Sequence, residues 1–312
     1  MCTAPLFSVA LLAALWGVAS ARHVRWITKR TPGITLNPVG GQAQLAGVEV
    51  LSAVAATGFP FTVPSIASLD RIDLDAPVTI LVGDNGTGKS TFVESLAIAT
   101  QLPAVGSARP SADPTLGPQR RLAKRFRLTW RGRTHRGFFL RAEDFFGFQK
   151  QLGVARAEHE SELARIDVDL AESSEYARRL AKGPHHASIG AMESRYGANP
   201  DACSHGEAFL NLFAERLAPA GLYLLDEPEA ALSAQSQLGF LAMIRDAIQS
   251  GSQFIIATHS PILMAIPGAR ILSFDNPPVR EVSYDDLASV ALVRDFLMAP
   301  ERYLRMIWDD AE

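Results

Sequence analysis

The chain has 312 residues, of which 47% are hydrophobic and 20% charged, and these proportions are ordinary for a globular protein. They exclude a disordered chain, a collagen-like chain and a coiled-coil rod, and the length suffices to bury a large core without disulfides. The net charge of −3 and the two cysteines, Cys2 and Cys203, argue against nucleic-acid binding by bulk charge, a disulfide framework and a four-cysteine zinc site.

The N-terminal segment carries conflicting signals. Residues 6–19 are apolar, and Ala19-Ser20-Ala21 is typical of a signal-peptide cleavage site. The positive charges follow the apolar run instead of preceding it, which disfavours export, and the run is shorter than the about 20 residues that span a bilayer. Three interpretations stay open: a start codon placed too early, with residues 1–46 outside the fold; a weak membrane anchor; and true export. We expect a cytoplasmic protein, with membrane contact only through residues 6–19.

The first strong element is an apolar run, residues 77–82, which predicts a buried parallel strand. It leads into Gly83-Asp84-Asn85-Gly86-Thr87-Gly88-Lys89-Ser90, which fits the pattern G-x4-G-K-S and opens a helix predicted to end near Thr100. Glycines let backbone N–H groups curl around phosphates, and the positive end of the helix adds to the attraction. We expect residues from Gly83 to Thr91 to bind ATP, with Lys89 on the β- and γ-phosphates and Ser90 on Mg²⁺.

Residues 103–202 are expected to form an insertion made of a β-hairpin and helices. Alternating apolar and polar residues over 126–131, followed by a returning strand at 137–140, predict the hairpin. A charged stretch with apolar residues at helical spacing predicts one or two exposed helices over 154–182, ended by Gly183-Pro184.

Basic residues are concentrated between positions 109 and 141, with Asp113 as the single acid and Trp130, Phe138 and Phe139 interleaved. One interpretation is a surface for nucleic-acid phosphates, whose affinity would fall steeply with salt. A face that docks a protein, or a solvated face with its aromatic side chains packed inward, remains an alternative. The basic residues are Arg109, Arg120, Arg121, Lys124, Arg125, Arg127, Arg131, Arg133, Arg136 and Arg141.

The pattern of alternating strands and helices resumes after residue 204. Strands are predicted at 221–226, 253–258 and 270–274, with a helix over about 230–249 between the first two and a helical tail over 285–308. The buried face of the first helix is predicted to carry Leu238, Leu241, Ile244 and Ile248.

Carboxylate and imidazole side chains stand at the ends of two of these strands. Asp226 and Glu227 close the first strand, and His259 follows the next one, 32 residues after Glu227 and across one helix. We expect Asp226 to support the Mg²⁺ shell, Glu227 to orient or polarise the attacking water, and His259 to face the γ-phosphate.

Together with the phosphate turn, these motifs resemble the ABC-type ATPases. More narrowly, they resemble bacterial AAA or AbiEii-like ATPases on the RecF/SMC-like side of that superfamily. Ser204-His205-Gly206-Glu207 stands where the superfamily has its signature loop, Glu229-Ala230-Ala231-Leu232-Ser233 at its D-loop, and His259 at its switch histidine. The resemblance covers about residues 59–312.

The resemblance implies an α/β fold of the P-loop NTPase class with an ABC-ATPase-like sheet, in a domain over 47–312. It implies that two chains sandwich two ATP molecules, and that Ser204 and Gly206 of one chain cap the γ-phosphate held by the other. Hydrolysis then opens the sandwich. We expect an ATPase that forms an ATP-dependent homodimer, uses Lys89, Glu227 and His259 in catalysis, and couples hydrolysis to an unidentified partner in DNA maintenance or phage defence.

Two alternatives from other classes remain: the ATP-binding subunit of a transporter, and an ATP-gated interaction module that does not hydrolyse ATP. His205 replaces one of the adjacent glycines of the transporter signature, which counts against the first, and the intact catalytic set counts against the second. The D-loop ends in Ser233 where the family has Asp. The Q-loop glutamine, a further Mg²⁺ ligand, is assigned to Gln149, 60 residues after Lys89.

Overall fold

The computed structural model describes residues 43–51, 57–105, 110–196 and 205–308. The interpretations of the N-terminal segment, Arg109, Cys203 and Ser204 therefore concern residues outside the described ranges. The predicted domain boundary after residue 46 stays a prediction, and the first described strand begins at Leu45.

The strands of the described ranges are β1 (Leu45–Val50), β2 (Arg71–Asp73), β3 (Val78–Val82), β4 (Phe126–Trp130), β5 (Gly137–Arg141), β6 (Leu222–Asp226), β7 (Gln253–Ala257), β8 (Arg270–Ser273) and β9 (Arg280–Val282). The α-helices are α1 (Pro64–Ala67), α2 (Lys89–Thr100), α3 (Gly117–Ala123), α4 (Ala142–Asp169), α5 (Glu175–Tyr196), α6 (His205–Arg216), α7 (Ala234–Gln249), α8 (Pro261–Met264), α9 (Ala288–Met298) and α10 (Pro300–Trp308). Short 3₁₀ helices lie at Pro114–Leu116, Pro228–Ala231 and Tyr284–Asp286.

Six of these strands form the central sheet in the order β5-β6-β7-β3-β8-β9. All neighbouring pairs are parallel except β8 and β9, which are antiparallel. A second, antiparallel sheet has the order β2-β1-β4. Because β3, β6 and β7 run in parallel, their C-terminal ends meet at one sheet edge, where open α/β sheets bind their ligands. The predicted α/β fold class is confirmed.

The central strands are buried on both faces, which explains why they read as continuous apolar runs. Side chains alternate between two cores: Leu222 and Leu224 face a core that includes α2 and the small sheet, whereas Tyr223 and Leu225 face α6 and α7. The strand that leads to Asp226 is thereby held from both sides.

The predicted β-hairpin is wrong. β4 pairs with β1 in the small sheet, and β5 pairs in parallel with β6 in the central sheet. Gly137 begins β5 at a φ of +116°, and a Cβ there would lie 1.8 Å from the carbonyl oxygen of Leu222. β4 alternates between half-buried and exposed residues, whereas Phe138, Phe139 and Leu140 are all buried, as expected inside a parallel sheet.

Two further predictions about helices need correction. Gly183 and Pro184 lie inside α5 and do not end it; this helix is mostly half-buried or exposed, so water can satisfy the carbonyl that Pro184 leaves without a donor. In α7, Leu238 is 49% exposed, because the inward face carries Gln237 and Phe240 in its place. Within the described ranges, no helix is both long and apolar enough to cross a membrane.

Candidate active site

The glycine-rich turn between β3 and α2 forms an open backbone cradle. Gly86 has a φ of +80°, and a Cβ there would find no atom within 4 Å, so the backbone is free to receive a ligand closely. Gly88 has a φ of +100° and packs so tightly on α1 that a Cβ would lie 3.0 Å from Ser65 Oγ. Asp84 and Asn85 are exposed at the tip of the turn. This geometry fits a phosphate group held by backbone N–H donors.

Lys89 lies under this cradle and is buried. Its Nζ donates to the carbonyl oxygens of Gly83 (2.6 Å) and Asp84 (2.9 Å). Burial lowers the pKa of Lys89, while nearby carboxylates, Glu227 first among them, act in the opposite direction. The ammonium group is thus placed where a phosphate could replace the two carbonyls as its partner.

The remaining residues of the turn have structural contacts. The Thr87 hydroxyl donates to the Asp84 carbonyl at 2.8 Å, and the backbone N–H of Asp84 donates to Asp275 Oδ1 at 2.7 Å. Thr91 is buried, and its carbonyl accepts from the Ser95 hydroxyl at 2.6 Å. Asp275, which follows β8, was not anticipated from the sequence, because the parallel pairing of β8 with β3 brings it here.

The predicted Mg²⁺ ligands meet at the end of β6. Ser90 Oγ donates to Asp226 Oδ1 at 3.1 Å. Burial, together with the nearby Glu94 carboxylate, raises the pKa of Asp226 to about 7. A hydroxyl and a carboxylate facing each other are the hard oxygen donors that Mg²⁺ prefers. The pair therefore fits the cation that the motif implies.

A buried ion cluster, which the sequence did not reveal, lies beside this pair. Arg141 is the β-sheet partner of Asp226, its side chain is 11% exposed, and it contacts Glu94 (3.2 Å) and Asp144 (2.9 Å). Burial raises the pKa of Glu94, although hydrogen bonds from Gln119 and Arg141 counteract it. Glu94 could have been found, since it stands four residues after Ser90 on the same helix face.

Glu227 and His259 lie next to each other at the same sheet edge. Glu227 adopts a left-handed backbone conformation (φ 50°, ψ 48°), which is costly for a residue other than glycine and typical of functional sites. His259 Nε2 lies 3.8 Å from Glu227 Oε1, and the two side chains are 40% and 46% exposed. Both are thus accessible to a water molecule and a nucleotide.

The predicted signature loop is described only in part, because Ser204 lies outside the described ranges. Gly206 is buried at the start of α6, and a Cβ there would lie 2.8 Å from Ser236 Oγ and 3.6 Å from the Ala231 carbonyl oxygen. Gly206 therefore packs on the D-loop region of its own chain, and its role toward a second chain stays a prediction.

Gln149 lies in α4, eight residues beyond Arg141, which is about 12 Å along a helix axis. Among the hydrogen bonds of the described residues, none joins Gln149 to Ser90 or Asp226. Arg141, the last residue of β5, therefore lies beside Asp226, whereas Gln149 lies further along α4. The assignment of Gln149 as a Mg²⁺ ligand stays a prediction.

The basic residues of positions 109–141 do not form one free surface. Arg141 is buried, Arg127 pairs with Glu49 at 3.2 Å, and Arg131 lies 3.7 Å from Asp75. The interleaved aromatic residues pack inward: Trp130 is half-buried, and Phe138 and Phe139 belong to the two cores. Basic residues that remain exposed are Arg121, Lys124, Arg127, Arg131, Arg133 and Arg136. Nucleic-acid binding stays a prediction.

Two family models match the chain. An AAA-domain family whose description names the AbiEii toxin and a type IV toxin–antitoxin system matches residues 158–265, and a second AAA-domain family matches residues 64–131. A curated relative, the macrolide export ATP-binding/permease protein MacB of Hahella chejuensis (strain KCTC 2396), is 29% identical over 204 residues, or 64% of this chain. The match spans 29% of the length of that relative.

Solved structures with similar chains include a metal-chelate type ABC transporter in an inward-facing conformation, at 17% identity and a TM-score of 0.41, covering 80% of this chain and 88% of the other. The Smc head domain of Pyrococcus furiosus, bound to the C-terminal domain of ScpA, gives 12% identity and a TM-score of 0.38, covering 81% and 99%.

The two AAA-domain matches agree with the glycine-rich turn on β3 and α2 and with the carboxylates at the end of β6. The chain thus has the glycine-rich turn of a P-loop in an α/β fold and resembles AAA domains over part of its length, which supports an ABC/AAA-like ATPase.

Proposed function

We propose that the protein hydrolyses ATP in the presence of Mg²⁺. The observation that carries this proposal is the meeting of Ser90 and Asp226 at 3.1 Å, at the sheet edge that also holds Glu227 and His259. The phosphate cradle, the cation ligands and the groups that can act on water thus converge from three strands that are distant in sequence.

The residues of the site divide the chemistry among them. The backbone N–H groups of the turn and Lys89 bind the phosphates, and Ser90 and Asp226 hold Mg²⁺, which when bound neutralises charge on the β- and γ-phosphates. Glu227 orients a water molecule and takes up its proton while the water oxygen bonds to the γ-phosphorus. The bond from that phosphorus to the bridging oxygen breaks, which yields ADP and phosphate. His259 donates a hydrogen bond to the γ-phosphate.

We propose further that two copies of the chain sandwich ATP, with Ser204 and Gly206 of one copy on the nucleotide of the other. Hydrolysis would then release a contact that ATP had made, and a partner could respond to it. The proposed partner is DNA or a DNA-associated protein, and the proposed contact surface consists of the exposed basic residues of positions 121–136.

The test is ATP turnover of the full chain with and without duplex DNA, at low and high salt. Glu227→Gln keeps the shape of the side chain and removes its basicity, so this variant is expected to bind ATP but not to turn it over. Glu158→Gln, on the exposed face of α4, is the matched control and is expected to turn over normally. Unchanged turnover in Glu227→Gln would remove Glu227 from the proposed role, and absence of turnover in the unmodified chain would refute the proposal.

The ATP-binding subunit of a transporter is the second candidate, favoured by the match to an export ATP-binding/permease protein. The DNA arm of the same experiment separates the two. Salt-sensitive stimulation by DNA supports the first candidate. Turnover that DNA does not change leaves the basic residues as a protein-docking or solvated face and favours the second.

A further inference from the structure

We propose that Glu229 is a positioning residue that fixes His259 for catalysis. The backbone N–H of His259 donates to Glu229 Oε1 at 2.6 Å. This bond joins the loop that follows β6 to the loop that follows β7, the two segments that carry Glu227 and His259. The inference rests on the proposed function, because it assigns a role in that same reaction.

A second hydrogen-bond chain holds the other side of the histidine loop. The Ser260 hydroxyl donates to Gln237 Oε1 at 2.5 Å, and Gln237 Nε2 donates to the Leu232 carbonyl at 3.2 Å. Ser260 Oγ also accepts from the N–H groups of Ile262 and Leu263, which caps α8. The residue after His259 is thus fixed through α7, whereas His259 itself is held by Glu229.

The environment of Glu229 points to a role in positioning instead of stability. Its second carboxylate oxygen, Oε2, is buried and has no hydrogen-bond partner among the described residues. A buried carboxylate oxygen without a donor lowers stability. A shorter, apolar side chain would avoid this cost, so the benefit of Glu229 lies in what its Oε1 acceptor holds.

The bond has a direct consequence for the site. His259 Nε2 lies 3.8 Å from Glu227 Oε1, and this separation depends on where the two loops place their backbones. The Glu227 N–H still donates to the Ala257 carbonyl at 2.9 Å without Glu229, but the backbone N–H of His259 loses its direct hydrogen bond to the loop of Glu227, and the imidazole is expected to shift. Among the described residues, no hydrogen bond or ion pair joins Glu229 to the phosphate turn, so binding of ATP has no direct dependence on it.

The kinetic test compares Glu229→Ala, Glu229→Gln, His259→Ala and the Glu229→Ala/His259→Ala double variant. Glu229→Ala is expected to lower kcat by about tenfold or more, because small displacements of a catalytic group are costly, and to leave KM for ATP within about twofold. Glu229→Gln keeps an oxygen acceptor at Oε1 and is expected to retain most of kcat. In the His259→Ala background, Glu229→Ala is expected to add no further loss, because Glu229 acts through His259. If the two single-variant losses in kcat multiply in the double variant, the proposal is overturned.

A second measurement follows the hydrogen bond itself and needs no turnover. Amide hydrogen exchange of His259 is expected to accelerate about tenfold in Glu229→Ala, but not in Glu229→Gln or in the exposed control Glu301→Ala. Unchanged exchange in Glu229→Ala would overturn the positioning role. If the unmodified chain shows no turnover, the proposed function fails, while the exchange result still decides whether Glu229 fixes the histidine loop.

Discussion

Replacing Asp226 by asparagine is expected to stabilise the protein while removing its activity. Asp226 is 8% exposed, and burial raises its pKa from 3.8 to about 7. The folded state therefore binds a proton more tightly than the unfolded state, so stability falls as pH rises from about 4 to about 7. At pH 8 the charged Asp226 therefore lowers the free energy of unfolding by at most about 4 kcal/mol, which is the equivalent of a shift of about three pKa units. Asparagine keeps an acceptor for Ser90 Oγ and carries no charge.

The assay is urea denaturation at pH 8 and pH 5, with EDTA and without nucleotide. Asp226→Asn is expected to exceed the unmodified chain in free energy of unfolding by up to about 4 kcal/mol at pH 8 and by only about 1–2 kcal/mol at pH 5. Asp246→Asn, whose parent side chain is 50% exposed, serves as control and is expected to change stability by less than about 0.5 kcal/mol. A variant that is no more stable at pH 8, or equally stabilised at both pH values, would refute the electrostatic reasoning.

Three further predictions follow from the same geometry. Gly137→Ala, which places a Cβ against a backbone carbonyl at 1.8 Å, is expected to destabilise the fold by at least about 3 kcal/mol in urea denaturation. Gly153→Ala, in α4 at a half-buried position where a Cβ would find no atom within 4 Å, is expected to stabilise the fold by about 0.5–1 kcal/mol. Arg141→Met is expected to lower the free energy of unfolding by about 3–5 kcal/mol, because it leaves buried carboxylates without their counter-charge. Arg165→Met, whose parent side chain is 67% exposed, is the control and is expected to lower it by less than about 1 kcal/mol. Equal losses in the two variants would contradict the argument for a buried ion pair. Glu227→Gln with ATP and Mg²⁺ is expected to elute as a dimer in gel filtration, and a monomer under these conditions would contradict the sandwich.

The parts of the site that lie on continuous sequence could be predicted. The apolar strand, the glycine turn and the helix from Lys89 to Thr100 each have a local cause, and the structure places them as expected. The same holds for the strands that end at Asp226 and lead to His259. Local propensity and burial agree in these segments, so each of them favours a single type of secondary structure.

The parts that depend on long-range pairing could not be predicted. Residues 126–130 and 137–141 look like a hairpin, since a short turn joins two strand-like stretches, yet their partners are β1 and β6. Glu229 gives no sign in the sequence that it accepts from the backbone of His259, because this contact needs the parallel register of β6 and β7. The sequence reports which residues favour a strand but not which strand lies beside it.

The electrostatics of the site could not be predicted either, because they depend on the pairing of β5 with β6 and not on a hairpin of β4 and β5. Once β5 lies against β6, Arg141 stands beside Asp226 in the register of the sheet, and one buried guanidinium faces the carboxylates of Glu94, Asp113 and Asp144. Burial is the main reason why the pKa of Asp226 is raised, and an excess of negative charge, from Glu94 and Glu227 against the nearby Lys89, adds to it. A divalent cation held by Ser90 and Asp226 would offset that excess, so the charges that destabilise the site in isolation are those that favour Mg²⁺ binding.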